Sequence, residues 1–253
     1  MLRAVGVLVI YLLFGIATSN NIKPPLPSYV NVCKRFDPEI AKCWKKTFEG
    51  LIPHLVKGIP EFKVPPIEPF FIDNLQLNLG NGTTIRFVAD LTNVTCFGIQ
   101  DVKVVSVEPN YKTLTIKLDL IFSKLVMKAL YKANGRILLF RFDSAGNFDG
   151  EFKQVYVKAF YQLETYEKDK IEHIRIKHST HDVDVKSMSL YLHNLFKNNP
   201  EITASVNRVI NDNIHILYKD FKPLLQRTIG GIITDYANRA YSQYSFNTLL
   251  PIN

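Results

Sequence analysis

From Phe70 to Leu192 the chain alternates apolar and polar residues with a period of two, and after Pro200 the period lengthens to that of a helix. Leu75, Leu77 and Leu79 alternate with polar residues up to Asn81-Gly82, a hairpin signal, and Ile85, Phe87, Ala89 and Leu91 then continue the pattern. Leu114, Ile116, Leu118 and Leu120 repeat it, as do Val155, Val157, Ala159, Tyr161 and Leu163, then Ile174 with Ile176 and Val183 with Val185. The spacing predicts long antiparallel strands with one buried face. Turns are expected at Pro109-Asn110, near Asn134-Gly135, at Ser144-Ala145-Gly146-Asn147 and around Lys168-Asp169.

Beyond Asn198-Asn199-Pro200, apolar residues from Ile202, Val206 and Ile210 through Ile216, Leu217, Phe221 and Leu224 to Ile232 and Tyr236 recur at helical spacing. The pattern predicts one very long amphipathic helix, kinked at Pro223 because proline removes a donor and crowds the preceding turn. A shorter helix is expected near the N-terminus: Asp37-Pro38-Glu39 is a strong start signal, and Ile40, Trp44, Phe48, Leu51, Ile52 and Leu55 form one apolar face. Pro53 and Gly58 are expected to close it. A long helix with a single apolar stripe needs an equally long cover, and only the sheet qualifies. The fold class is therefore α+β, a long, highly curved antiparallel sheet wrapped around a long C-terminal helix, with a short N-terminal helix.

Arg3 precedes an unbroken apolar or glycine run from Ala4 to Ala17, followed by small residues suited to signal-peptide cleavage. A run of 14 residues is short of the roughly 20 that span a bilayer. Residues 1–19 are thus expected to be a signal peptide and 20–253 a single secreted, extracellular domain with no transmembrane segment. Apolar residues make up 47% of the chain, which excludes global disorder. The net charge of +8 is scattered, with no basic run longer than the two residues of Lys45-Lys46 and no interleaving of basic and aromatic residues, so no nucleic-acid partner is expected. Three cysteines imply one bridge and one remaining thiol. Cys33 and Cys43 are close enough to pair, leaving Cys96 as a buried small hydrophobe or, alternatively, an intermolecular bridge.

No nucleophile elbow, zinc-protease helix, phosphate loop or dinucleotide fingerprint occurs, and neither enzymatic activity nor a cofactor is expected. His173, His178 and His181, followed by Asp182 and Asp184, could ligate zinc if they converged, but strand alternation favours a solvated strand end and no metal site. Asp143 to Gly150 faintly echoes a calcium loop and reads better as a β-turn. Asn81-Gly-Thr and Asn93-Val-Thr are glycosylation acceptors in a secreted chain.

One set of short motifs runs in order through most of the chain: Leu26-Pro27, the Cys33 and Cys43 pair, Gly58-Ile59-Pro60-Glu61, Val64-Pro65-Pro66, Glu68-Pro69, Phe97-Gly98, Tyr131 with Asn134-Gly135, and Asn194-Leu195-Phe196. In these the chain resembles the insect takeout and juvenile-hormone-binding-protein family of secreted carriers. The resemblance implies a sheet rolled about the helix, a TULIP-like super-roll, with a hydrophobic small-molecule ligand in an elongated tunnel. Candidate tunnel residues are Trp44, Phe48, Phe87, Phe97, Tyr131, Phe140, Val157, Tyr161, Ile216, Leu217 and Leu224. It further implies a monomeric carrier of terpenoid hormones, fatty acids or isoprenoid lipids, linked to circadian, feeding or chemosensory physiology. The absence of a second disulfide favours the takeout-like branch. The alternative is a lipid-surface or cell-surface-receptor module without a stored ligand.

Overall fold

The computed structural model describes residues 25–80, 85–197 and 199–252. The leader with its cleavage site and the Asn81 sequon lie outside the described residues. Helix α1, Ile40–Lys57, follows the start signal as expected, and the Asp37 carboxylate accepts the Glu39 N–H at 2.8 Å. Pro53 does not end it. The proline sits on the exposed side of the helix, and the stop is Gly58 at φ 80°. A disulfide joins Cys33 to Cys43, tying the entry segment to the first turn of α1, while Cys96 is free and half-buried, its thiol pushed up to about 11 by burial.

Six strands form one antiparallel sheet: β1 Phe70–Leu79, β2 Ile85–Phe97, β3 Lys103–Asn110, β4 Thr115–Ile137, β5 Phe140–Lys168 and β6 Ile171–Leu192. The order is β1-β2-β4-β5-β6, with β3 pairing β4 beyond the end of β2. Turns fall after Asn110 and at Asp169-Lys170 as the sequence suggests. The chain reverses between Ile137 and Phe140, just beyond Asn134-Gly135, which itself lies within β4, and residues 144–147 lie within β5 rather than in a turn. Glycine serves close approach there rather than reversal: a Cβ on Gly135 would strike the Arg86 carbonyl, and one on Gly146 that of His193.

A crease crosses the sheet. Inward positions are even in the first part of β4 (Ile116, Leu118) and odd in the last (Ala129, Tyr131, Ala133), although its register with β5 never slips. The switch falls where two successive residues are exposed on each of three strands: Ser123-Lys124, Lys153-Gln154 and Lys186-Ser187. Gln154 takes a left-handed φ of 50°, and on β2 a bulge at Asn93, φ 52°, makes the same exchange. The alternation read along each strand thus holds only in halves.

The C-terminal helix is not continuous. Helix α2, Pro200–Asp212, and helix α3, Ile214–Tyr241, are separated at Asn213, whose side chain bonds the Val209 carbonyl at 2.8 Å. Its backbone, at φ −108° and ψ 14°, leaves the helical region, and a pattern of apolar positions does not register that. The chain stays helical on both sides of Pro223. A four-residue turn of helix, α4 at Phe246–Leu249, closes the chain over one end of the sheet.

Candidate functional site

Helix α3 lies along the inner face of the sheet, and three apolar clusters succeed one another beneath it. Ile214 and Leu217 join Ile85, Ile137, Leu195, Val206 and Ile210 at one end. Leu224 and Phe221 meet Leu91, Tyr131 and Ala133 in the middle. Ala237 and Tyr241 meet Tyr161, Leu163, Ile174 and α1 residues Trp44 and Phe48 at the other end. Leu120 at the edge of the α1-end cluster, Met127 at the edge of the middle one, and Phe122, Leu125 and Val157 hold inward register positions yet are only half-buried. Tyr241 is surrounded by protein, which pushes its phenol up to about 12, and it too keeps free surface.

Of the candidate tunnel residues, Trp44, Phe48 and Tyr161 stand at the α1 end, Phe87, Tyr131 and Leu224 in the middle, and Phe140 and Leu217 at the far end. Val157 lies on the half-buried stretch opposite Leu120. Two do not belong to the interior: Ile216 is 52% exposed and Phe97 is 37% exposed. Leu217 carries the stripe that the spacing assigned to both it and Ile216, and the Asn93 bulge turns Phe97 outward.

Of His173, His178 and His181, only His178 is exposed, against expectation. His173 is 1% exposed and stacks on Tyr166, its neighbour across β5. His181 is buried beneath Gly230, where an added Cβ would lie 2.6 Å from its Nδ1, and its Nε2 meets the Tyr161 hydroxyl at 3.2 Å. Burial lowers the His181 pKa and raises that of Tyr161. Among the described residues no group of three or more His, Cys, Asp or Glu side chains is placed to hold a metal ion. Residues 143–150 run through β5 as strand, neither loop nor turn.

Sequence reasoning missed how the helices are fastened. Asn207 and Asn211 of α2 each accept the N–H and donate to the C=O of a β6 residue, Leu192 and Leu190 respectively, at 2.8–3.0 Å. Asn238 of α3 does the same to Ile176 at 2.7 and 3.2 Å. Tyr218 donates to the Val183 carbonyl at 2.5 Å, and Lys222 reaches Asp182 and Asp184 at 2.7 and 2.6 Å. The open edge of β6 is thereby satisfied by helix side chains. Glu68 has a similar role near β2: its carboxylate accepts from Gly98 N–H at 2.9 Å and Gln100 N–H at 3.3 Å, joining two of the short motifs.

A curved antiparallel sheet packed along a long helix over three apolar clusters is the architecture of this chain. The chain belongs to the haemolymph juvenile hormone binding protein family, whose model matches residues 9–251. It is 24% identical over 230 residues to the circadian clock-controlled protein daywake of Drosophila melanogaster, covering 86% of this chain and 87% of that one. The Drosophila yakuba daywake is likewise 24% identical, over 204 residues, 78% of this chain and 77% of the other. The crystal structure of Epiphyas postvittana Takeout 1 superposes with a TM-score of 0.73 at 21% identity, over 87% of this chain and 99% of its own, which establishes the shared fold.

Proposed function

We propose that this protein is a secreted, non-enzymatic carrier that takes a hydrophobic small molecule from water into the space between α3 and the sheet. The observation that carries the reading is the run of inward but half-covered residues from Tyr241 through Val157 and Leu120 to Met127. Family membership supports it. Filling that space removes apolar surface from water at about 25 cal/mol per Å2, so affinity rises with ligand length until the space is full. Displacement of a fluorescent apolar probe by an alkyl series, at low and high salt, tests this. A flat length series with binding lost in salt overturns it.

One place favours the alternative of contact with an anionic lipid surface. Leu139, at the tip between β4 and β5, is 89% exposed, and Arg86, Arg136 and Arg141 stand side by side in register just behind it. Binding to phosphatidylserine vesicles that Leu139→Ser and Arg141→Ser abolish would support that reading. A clock-linked role is carried over from daywake and is tested by following the protein's abundance through a light–dark cycle.

A further inference from the structure

Asn93 lines a shallow groove of about 460 Å3 on the outer face of the sheet, together with Lys128, Leu130, Asn147, Asp149 and His193. The bulge on β2 brings it there. Between inward-facing Leu91 and inward-facing Val94 stand two residues, Thr92 and Asn93, where a regular strand has one. Thr92 pairs with Leu130 and Thr95 with Lys128, so Asn93 stands opposite the stretch between those two β4 residues. Across β4, Lys128 is in register with Asp149 and Leu130 with Asn147. Beyond β5, the backbone N–H of His193 donates to the Asn147 carbonyl at 2.9 Å, and its Nε2 meets the Asp149 carboxylate at 2.7 Å. The groove thus runs from β2 to the end of β6 over three strand spacings, about 14 Å.

The lining has the chemistry of a sugar site. Leu130 is 46% exposed in a row whose other members are Asn74, Thr92 and Asn147. Lys128 and Asn147 offer donors beside it, and Asn147 and Asp149 offer acceptors. Apolar surface bordered by donors and acceptors suits a pyranose ring, which has a C–H face and a rim of polar groups. The volume falls in the range of about 300–1,000 Å3 over which small molecules are held. The left-handed bulge, φ 52°, accounts for an asparagine at position 93. It accounts neither for the open groove alongside nor for Thr95, which completes the Asn-Val-Thr acceptor. Asn93 is itself exposed, so its amide is open to modification.

We propose that Asn93 carries an N-linked glycan whose first N-acetylglucosamine lies in this groove, its C–H face over Leu130 and its polar rim against Lys128, Asn147 and Asp149. The inference rests on the secreted part of the carrier reading and adds a covalent occupant on the side of the sheet away from α3. The new bond joins Asn93 Nδ2 to C1 of the sugar of a diphosphate-linked oligosaccharide. The C1–O bond to phosphate breaks, the diphosphate leaves with that oxygen, and the amide gives up one proton. Seated this way, the sugar covers the apolar surface that Leu130 otherwise presents to water.

The test uses the full chain expressed in insect cells with mannose trimming blocked, so that endoglycosidase H cuts any glycan back to one N-acetylglucosamine. Peptide mass mapping reads occupancy of Asn93. Hydrogen exchange then compares this form with Thr95→Val, which removes the acceptor at nearly constant shape, and with Leu130→Ser, which keeps the acceptor and alters the seat; thermal melting confirms that both variants fold. Amides of residues 128–130 and 147–149 are expected to exchange about threefold or more slowly in the sugar-bearing protein than in Thr95→Val. Leu130→Ser should carry the sugar and lose that protection. A sugar on Asn93 with equal exchange in all three proteins overturns the seat. Secreted protein bare at Asn93 overturns the site and leaves the carrier reading intact, whereas protein held in the cell and unmodified overturns secretion itself.

Discussion

The Asn207 amide pairs with the backbone of Leu192 as another strand would, accepting its N–H at 2.9 Å and donating to its C=O at 3.0 Å. Asn207 is fully buried, and its Nδ2 also reaches the Thr203 carbonyl. Asn207→Ala leaves both groups of Leu192 without partners, and the expected cost is about 1–3 kcal/mol. Urea denaturation of this variant beside Arg208→Ala, an exposed neighbour, measures it. Equal midpoints would show the pairing to be dispensable.

Leu217 is 4% exposed and Ile216 is 52% exposed, so a carboxylate has opposite consequences at adjacent positions. Leu217→Asp buries an unpaired charge in the cluster around Val206 and Ile210 and is expected to unfold the chain or cost several kcal/mol. Ile216→Asp should stay within about 1 kcal/mol. Paired melting curves decide between this arrangement and one in which both residues face the sheet.

His181 makes stability depend on pH. Burial holds its folded pKa below the unfolded value of about 6.5, so below that pH the unfolded chain binds a proton the folded chain does not. Stability is therefore full above about pH 6.5 and falls as pH drops toward the folded pKa, by at most about 1.4 kcal/mol per unit from this group. His181→Gln should flatten that limb between pH 7 and 5.5. An unchanged slope in the variant would assign the acid sensitivity elsewhere.

The bridge between Cys33 and Cys43 closes a short loop, and its removal is expected to cost about 2–4 kcal/mol. The effect should concentrate in α1, visible as faster hydrogen exchange around Trp44 than in β4 or β5. Peptide mapping without reductant reads the pairing directly. The same experiment on secreted protein reports whether the chain begins at Asn20 and whether Asn93, exposed on its bulge, carries glycan.

The sheet, its curvature around a C-terminal helix and the N-terminal helix were legible because apolar periodicity reports which face of an element is buried. What stayed hidden depends on polar groups or on three-dimensional approach. Asn213 leaves the helical region at φ −108°, ψ 14°, which no apolar spacing records, and Gln154 and Asn93 exchange the faces of the strands through left-handed backbone. Gly135 and Gly146 look like turns because glycine serves turns and close contacts alike. Asn207 and Asn211 stand four residues apart on α2, the one sequence signal that could have revealed a helix bonded to a strand edge. Asn93 and His193 share one groove only because β4 and β5 lie between β2 and β6, which no local pattern encodes.

The fastening of α2 and α3 to β6 also fixes where the molecule can part. Along that margin directional bonds recur from Ile176 to Leu192, and opening it would strip partners from the strand backbone all at once. On the opposite margin α3 meets β1 through ring contact, Phe70 against Tyr236 at 6.0 Å, and meets β2 where the Asp220 carboxylate accepts the Ile85 N–H at 3.3 Å. The two margins are therefore unequal, and the strand that loosens first should be β1 rather than β6, read as faster hydrogen exchange along β1 than along β6.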